Sequence, residues 1–215
     1  MTDGVDIRDA VRTPQEPPLV PGRLRRPLVH VVPEAMPGAW CAELSRWLFE
    51  HRMEMVTMQD ERRVAHDLQI GDKAPALMAQ LRATLLAQLP AAIEACAVSD
   101  FDLTGTRLIA SLMHRHCFAD WVAGATDGDA RICFELTMHT DPPMFSGGEV
   151  EFLNGDTIAP ANAQMLWLHP LQPFRIREVE CWSNHALDGR WSIWGALCGP
   201  EPAGWADLRK RLQSS

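Results

Sequence analysis

The chain has 215 residues, a formal net charge of -8 at pH 7 and an isoelectric point near 5.4. Hydrophobic residues make up 47% and charged residues 22%, which is typical of one globular domain that buries a core without disulfides. The acidic balance excludes non-specific binding to nucleic acid, which needs clustered lysine and arginine. We find no apolar run that approaches the ~20 residues of a membrane-spanning helix and no signal-peptide core. We therefore expect a cytoplasmic protein without a membrane partner, whose six scattered cysteines are reduced core thiols.

Two helices are predicted in the first part of the chain. Residues 1–27 are rich in Pro, Arg and Asp and predict a flexible N-terminal arm. The apolar run 28–32 predicts a first strand, and three- and four-residue spacing of apolar side chains predicts a helix over 37–54. A second helix is predicted over 74–97, with Pro90 as a break or kink. We interpret residues 28–100 as a helical support region.

From residue 101 the pattern changes to short apolar runs separated by Gly, Pro, Asn and Asp. In the run 131–139 the apolar residues alternate, which is the period-two signature of a strand with one buried face. Helices followed by many short strands predict helices packed on one β-sandwich or barrel over 101–200, with a basic tail or helix over 201–215. We interpret 28–215 as a single domain. The predicted strands are 107–118, 131–139, 148–153, 164–168, 174–179 and 190–198.

An ordered series of motifs carries a family resemblance. The segment Phe145–Phe152 contains the glycine pair Gly147-Gly148 followed by Glu149, and it comes after a strand that begins at Arg131. The segments Thr157–Asn162, Leu168–Pro170 and Arg190–Gly195 then follow in order. This series resembles the bacterial prolyl-4-hydroxylase-like branch of the iron- and 2-oxoglutarate-dependent oxygenases. The resemblance implies an α+β, mainly β fold: a double-stranded β-helix (jelly-roll, cupin-like) core with N-terminal packing helices.

The same resemblance implies an iron site made of an H-x-D pair and a second histidine. The alignment places Trp121 and Ala123 at the H-x-D pair and Phe174 at the second histidine. A Trp, an Ala and a Phe cannot coordinate iron, so these are interpreted as vacated metal positions that line a pocket. We therefore expect a degenerate member of the family without a cofactor, with Fe(II) and 2-oxoglutarate used only if the alignment is wrong.

Other side chains are fallback candidates for metal ligands. His139-Thr140-Asp141 is a literal H-x-D, but it directly precedes two prolines, and a polar strand end leading into a turn is the favoured interpretation. His114 and His116 share a face if that segment is extended, with Asp120 in phase. On a straight strand, however, Asp120 would lie about 20 Å from His114.

The carboxylate-binding half of the family's site is better preserved. Arg190 and Ser192 are two apart on a predicted strand and so share a face. The resemblance implies that this Arg holds the distal carboxylate of 2-oxoglutarate and that the Ser hydroxyl assists it. The alternative is that Arg190 pairs with an internal acid such as Glu135 or Glu149.

Three functional hypotheses follow from the sequence. The leading one is a metal-free protein of the oxygenase fold that binds a small carboxylate-bearing or hydrophobic ligand. Such a protein could also catalyse a redox-neutral step in a bacterial small-molecule pathway, with His116 and Asp120 as candidate acid–base groups. The second is a non-catalytic pseudo-enzyme subunit, as a homodimer or in a heteromer with an active enzyme. The third is a conventional Fe(II)- and 2-oxoglutarate-dependent hydroxylase with relocated ligands.

Overall fold

The computed structural model describes residues 26–70, 73–98, 103–123 and 129–199, and the side chain of Ala123 is not among the described parts. The predicted C-terminal helix and nearly all of the predicted arm lie outside these ranges. The described elements are β1 (Val29–Val32), α1 (Gly38–Glu50), β2 (Val56–Gln59), β3 (Arg63–Gln69), α2 (Pro75–Ala95), β4 (Gly105–Met113), β5 (Cys117–Ala123), β6 (Ala130–Met138), β7 (Phe145–Gly147), β8 (Val150–Phe152), β9 (Thr157–Ile158), β10 (Gln164–Leu168), β11 (Pro173–Cys181) and β12 (Arg190–Cys198).

The described strands form one continuous antiparallel sheet that curls so that two parts of it face each other, with β2 paired to β3; we call these parts the first and the second sheet. The first sheet has the order β1-β10-β6-β12-β4-β3, and the second has the order β5-β11-β8-β9, with β7 also paired to β11. Strand β3 joins them, because its start pairs with β5 and its end pairs with β4. This is the strand arrangement of a double-stranded β-helix, so the predicted fold class is confirmed.

The two faces of the first sheet bury different sets of side chains. In β12, Trp191, Ile193 and Leu197 pack with α1 and α2, whereas Ala196 packs between the two sheets. Because successive strand residues point to opposite faces, the even-numbered residues of β12 line the inside of the jelly roll. In β6 the odd-numbered residues from Cys133 onward do so, since Ile132, Phe134, Leu136 and Met138 belong to the helix-side core. The predicted packing helices therefore cover the outer face of this sheet.

The region 28–100 contains more strand than the sequence indicated. Strands β2 and β3 were not predicted there, because β3 carries Arg63 and Asp67 on the same face as Ala65, which hides the apolar alternation. The predicted strand 107–118 is also wrong as one piece. A turn at 114–116 divides it into β4 and β5, which belong to different sheets.

Helix α2 differs from the sequence analysis in two ways. It runs unbroken through Pro90 from Pro75 to Ala95. It is also long and apolar enough, by length and composition alone, to cross a membrane, so the expectation that no apolar run approaches that length is wrong. Core helices of globular proteins pass the same test. Here the buried side chains of one α2 face belong to the core under the first sheet; they are Met78, Leu81, Leu85, Leu89 and Ala92.

Candidate functional site

A row of polar side chains crosses the inner face of the first sheet. In the strand register, Asp67 lies opposite Ser111, Ser111 lies opposite Ser192, and Ser192 lies opposite Thr137. Ser111, Ser192 and Thr137 are almost completely buried. Buried polar groups at one level of a β-barrel must bond to each other or to a ligand, since an unsatisfied group costs about 1–3 kcal/mol. The row therefore marks the polar part of the interior.

One end of this row is internally satisfied. Arg63 binds the Asp67 carboxylate through two hydrogen bonds, Nη1 to Oδ2 at 2.5 Å and Nη2 to Oδ1 at 2.7 Å. The Ser111 hydroxyl donates to Asp67 Oδ1 at 2.5 Å and accepts from Arg63 Nη2 at 2.9 Å. Fork geometry of this kind is the strong form of an arginine–carboxylate pair. We call these three residues the closed cluster.

At the other end of the row an arginine, a carboxylate and a serine also come together, but several of their polar atoms make no hydrogen bond. Arg190 and Glu135 are both 1% exposed, and Arg190 Nη1 lies 2.6 Å from Glu135 Oε1. The two atoms are close but misaligned, so neither makes a hydrogen bond, and Arg190 Nε and Ser192 Oγ are likewise buried without a partner. We call Arg190, Glu135 and Ser192 the open cluster. Of the two sequence alternatives, an internal acid does contact Arg190, and that acid is Glu135.

The glycine pair of the family motif lies directly against the open cluster. A Cβ atom at Gly148 would stand 2.8 Å from Arg190 Cδ and 3.3 Å from Val179 Cγ2, and a Cβ at Gly147 would overlap the carbonyl of Glu178. Both glycines also have positive φ angles, +79° and +74°. Gly148 thus makes room for the arginine side chain. The two segments that carry the family resemblance meet at this place in the fold.

Two of the three expected iron positions have side chains that the structure describes, and these two have different surroundings. Phe174 is buried inside the jelly roll, where its ring stacks on Trp194 with the centroids 5.3 Å apart. Trp121 instead lies against the guanidinium of Arg175, which bonds to Glu151. Since Arg175 follows Phe174 on β11, the two aromatic rings lie on opposite faces of the second sheet. The alignment predicted that they line one pocket, but they do not share a cavity. Neither side chain offers an atom that binds iron.

The predicted acid–base pair is divided between two environments. His116 is exposed in the turn before β5, where its Nδ1 donates to the Glu178 carboxylate at 2.7 Å. The Asp120 side chain accepts from the adjacent backbone N–H of Trp121 at 2.9 Å. His114, predicted to share a face with His116, lies in the same turn, with its Nε2 3.3 Å from the carbonyl of His185.

A group of metal-binding type lies on the outer face of the second sheet. The ligand atoms of His116, Glu178 and Glu180 all lie within 4.8 Å of one another, and all three residues are exposed. Val179, between the two glutamates, points inward and is buried next to Arg190 and Gly148. The sheet therefore separates this group from the open cluster.

His139 and Asp141, the literal H-x-D, do come together at one cavity. It has a volume of about 380 Å³, lies between α1 and the end of β6, and is also lined by Arg46, Asn162 and Trp191. Nothing in the sequence associates α1 with this segment.

Sequence reasoning found Arg190 and Ser192 and named Glu135 as a possible partner, but it missed the closed cluster. A signal was present in the strands. Glu135 and Thr137 interrupt strongly apolar alternation at positions that must point between the sheets. Arg63 and Asp67 were missed together with the strand that carries them.

Comparison with solved structures identifies the fold independently. The match to a prolyl-4-hydroxylase from Pseudomonas putida covers 80% of the present chain and 92% of the hydroxylase chain, with a TM-score of 0.61 and 15% identity. The chain matches an oxidoreductase of the 2OG-Fe(II) oxygenase family from Burkholderia pseudomallei over 79% and 84%, with a TM-score of 0.57 and 16% identity. It also matches SnoN, a non-heme alpha-ketoglutarate-dependent epimerase from nogalamycin biosynthesis, over 80% and 78%, with a TM-score of 0.54 and 15% identity. No protein-family model and no curated protein sequence matches.

The resemblance to 2-oxoglutarate oxygenases is thus confirmed as a shared fold. The expectation that the chain uses no cofactor must be corrected. The proteins of the same fold are named for Fe(II) and 2-oxoglutarate, and His116, Glu178 and Glu180 gather three ligand-type side chains. The two cofactors fit the interior differently. Arg190 and Ser192 suit a carboxylate, whereas the positions aligned with the iron ligands hold side chains without a ligand atom.

Proposed function

We propose that this oxygenase-fold protein binds a small carboxylate-bearing molecule inside the jelly roll, at Arg190 and Ser192. The observation that carries the proposal is the open cluster, in which three buried residues leave polar atoms without hydrogen bonds. A carboxylate that accepts from Arg190 Nε and from the Ser192 hydroxyl would satisfy two of those atoms. A dicarboxylate such as 2-oxoglutarate belongs to this ligand class.

Glu135 has a particular role in the proposal. In the ligand-free protein its negative charge neutralises the buried guanidinium of Arg190, because Glu135 Oε1 lies 2.6 Å from Arg190 Nη1. A ligand carboxylate with fork geometry binds arginine better than the misaligned Glu135 carboxylate does. Glu135 therefore competes with the ligand, and its carboxylate must turn away when the ligand binds.

We propose further that the iron chemistry of the family is not built from Trp121, Ala123 and Phe174. The Phe174–Trp194 stack gives that part of the interior an apolar surface. Any reaction of the bound ligand is then carried out by residues other than these three. The six buried and unpaired thiols support a reducing compartment such as the cytoplasm.

Titration of 2-oxoglutarate, glutarate and succinate by calorimetry, with thermal shift in parallel, tests the ligand site. Saturation of the wild type near 100 Kd should add about 2.7 kcal/mol of stability. Ser192→Ala should weaken binding by about tenfold, because one hydrogen bond to a charged group is lost. Glu135→Gln should strengthen binding, because the competing charge is removed.

Ser111→Ala is the matched control, since Ser111 faces Ser192 across the strand pair and is already bonded within the closed cluster. Its ligand affinity should equal that of the wild type. Failure of every carboxylate to bind both the wild type and Glu135→Gln would overturn the proposal. Equal weakening by the two serine substitutions would also count against a specific site.

A relocated metal centre is the second candidate function, favoured by the group of His116, Glu178 and Glu180. Metal analysis after incubation with Fe(II) and, separately, Mn(II) tests it. Stoichiometric metal that is lost in His116→Ala and kept in His114→Ala would support a centre on the outer face of the second sheet. Metal content equal in all three proteins would exclude it.

A further inference from the structure

The inner face of the first sheet reaches solvent beside the open cluster. On β12 the inward-pointing Trp194 is partly exposed, whereas Ser192 and Ala196, the inward-pointing residues before and after it, are buried. Ile109 lies opposite Trp194 on β4 and therefore shares its face. This isoleucine is also partly exposed, and it belongs to neither of the two hydrophobic cores of the described residues. Solvent therefore reaches the interior over Trp194 and Ile109.

The Trp194 ring is held in place from inside the jelly roll. It lies parallel to the ring of the buried Phe174, with 7° between the two planes and 5.3 Å between the centroids. Trp194 also packs against the core between the two sheets. A ring that is fixed in this way and is still partly accessible offers a rigid apolar surface, on which another aromatic ring can stack.

The same ring adjoins the ion pair of the open cluster. Trp194 lies directly opposite Glu135 in the register of β12 and β6. Side chains at opposite positions of an antiparallel strand pair are neighbours on one face. Glu135 in turn contacts Arg190. The part of the inner face that solvent reaches is therefore next to the carboxylate that neutralises Arg190.

We propose that the ligand of the Arg190 site is a carboxylate that carries a planar apolar group, such as an arylalkanoic acid, and that Trp194 selects it. This inference rests on the proposed carboxylate site and adds the part of the ligand that Arg190 does not hold. When Glu135 turns away, Arg190 becomes open on the Trp194 side. The ligand carboxylate then binds Arg190, and the planar group stacks on Trp194 beside Ile109.

The inference separates two classes of carboxylate. A dicarboxylate bound at Arg190 would place its second charge against the apolar surface of Trp194 and Phe174, which costs free energy because the charge is desolvated there. An aryl group in the same place is stabilised by burial and by stacking. We therefore expect the site to prefer an arylalkanoate to a dicarboxylate.

Calorimetry with 3-phenylpropanoate, 3-cyclohexylpropanoate and glutarate tests this preference. The wild type should bind 3-phenylpropanoate about tenfold more tightly than glutarate and about fivefold more tightly than the cyclohexyl compound, whose ring is not planar. Equal affinity for the phenyl compound and glutarate would overturn the inference and leave the carboxylate site intact. Failure of all three compounds to bind would overturn the carboxylate site itself, and the inference with it.

Substitution of Trp194 tests its role as the selecting residue. Trp194→Leu should remove the preference for the phenyl over the cyclohexyl ring, and Trp194→Phe, which keeps a ring on Phe174, should retain it. Trp182→Leu is the matched control, because it removes an indole that is 65% exposed beyond the end of β11 and should leave the preference unchanged. A preference that survives Trp194→Leu would overturn the role of Trp194. The comparison of compounds on the wild type keeps the inference testable if the leucine variant does not fold.

Discussion

The closed and open clusters are built from the same parts and differ in one respect. Each contains an arginine, a carboxylate and a serine on the inner face of the first sheet, and the two serines lie directly opposite each other. In the closed cluster both carboxylate oxygens of Asp67 accept hydrogen bonds from Arg63, and Ser111 is bonded as well. In the open cluster the charges are close, but the hydrogen bonds are missing.

The difference indicates what each cluster does. The closed cluster fastens β3 to β4 and needs nothing from outside the chain. The open cluster is more deeply buried, where an unmatched donor is most costly, and yet four of its polar atoms make no hydrogen bond, including the two that form its ion pair. If this ion pair only stabilised the fold, we would expect the Arg190 guanidinium and the Glu135 carboxylate to form two parallel hydrogen bonds. This contrast supports our proposal that the open cluster is one half of a binding site.

The largest expected difference between the clusters is in stability. Arg190→Met leaves the Glu135 carboxylate buried without a counter-charge and should lower the free energy of unfolding by about 3–5 kcal/mol. Arg63→Met should cost only about 1–2 kcal/mol, because Asp67 keeps the Ser111 hydroxyl and is 13% exposed. Urea unfolding with an unchanged m-value measures both.

The double variant Arg190→Met/Glu135→Leu provides the control for this comparison. It removes both buried charges, so most of the loss seen in Arg190→Met should be recovered. If Arg63→Met and Arg190→Met lower the free energy of unfolding by the same amount, the two clusters do not differ in the way that their hydrogen bonds indicate.

The sequence predicted the open cluster better than the closed one, for a physical reason. Arg190 and Ser192 lie in a strand whose other residues are apolar, so the polar pair is conspicuous, and the motif around Gly148 supports it. Arg63 and Asp67 lie in β3, where the polar residues face inward against the usual pattern. Without β3 neither the link between the sheets nor the partner of Ser111 could be foreseen.

The surroundings of the candidate metal ligands could not be predicted, for a different reason. His114 and His116 were placed on an extended strand, but the chain turns there and His116 has a φ of +63°. Their neighbours come from β11 and the 185 region, which local spacing cannot reveal. Likewise, His139 and Asp141 line a cavity only because α1 lies beside them, and that packing is a long-range contact.

A smaller effect separates the two serines. Ser111→Ala should cost about 1.5–3 kcal/mol, since the hydroxyl bonds to the charged Asp67. Ser192→Ala should be neutral or stabilising without ligand, because it removes a buried oxygen that has no partner. Thermal unfolding of both variants measures this difference. A clear loss in Ser192→Ala without ligand would mean that its hydroxyl is already bonded within the protein.

The smallest expected effect concerns pH and involves only the closed side of the sheet. His66 lies beside Asp67 on β3, and burial, with a further contribution from the nearby His114, lowers its pKa below the ordinary value of 6.5. The unfolded chain therefore takes up a proton at higher pH than the folded chain does, and stability falls as the pH drops through about 6.5. His66→Gln should flatten this part of the curve, when urea midpoints are compared between pH 5 and 8. An unchanged slope in His66→Gln would assign the acid sensitivity to other groups, of which His169, whose pKa burial also lowers, is the first to substitute next.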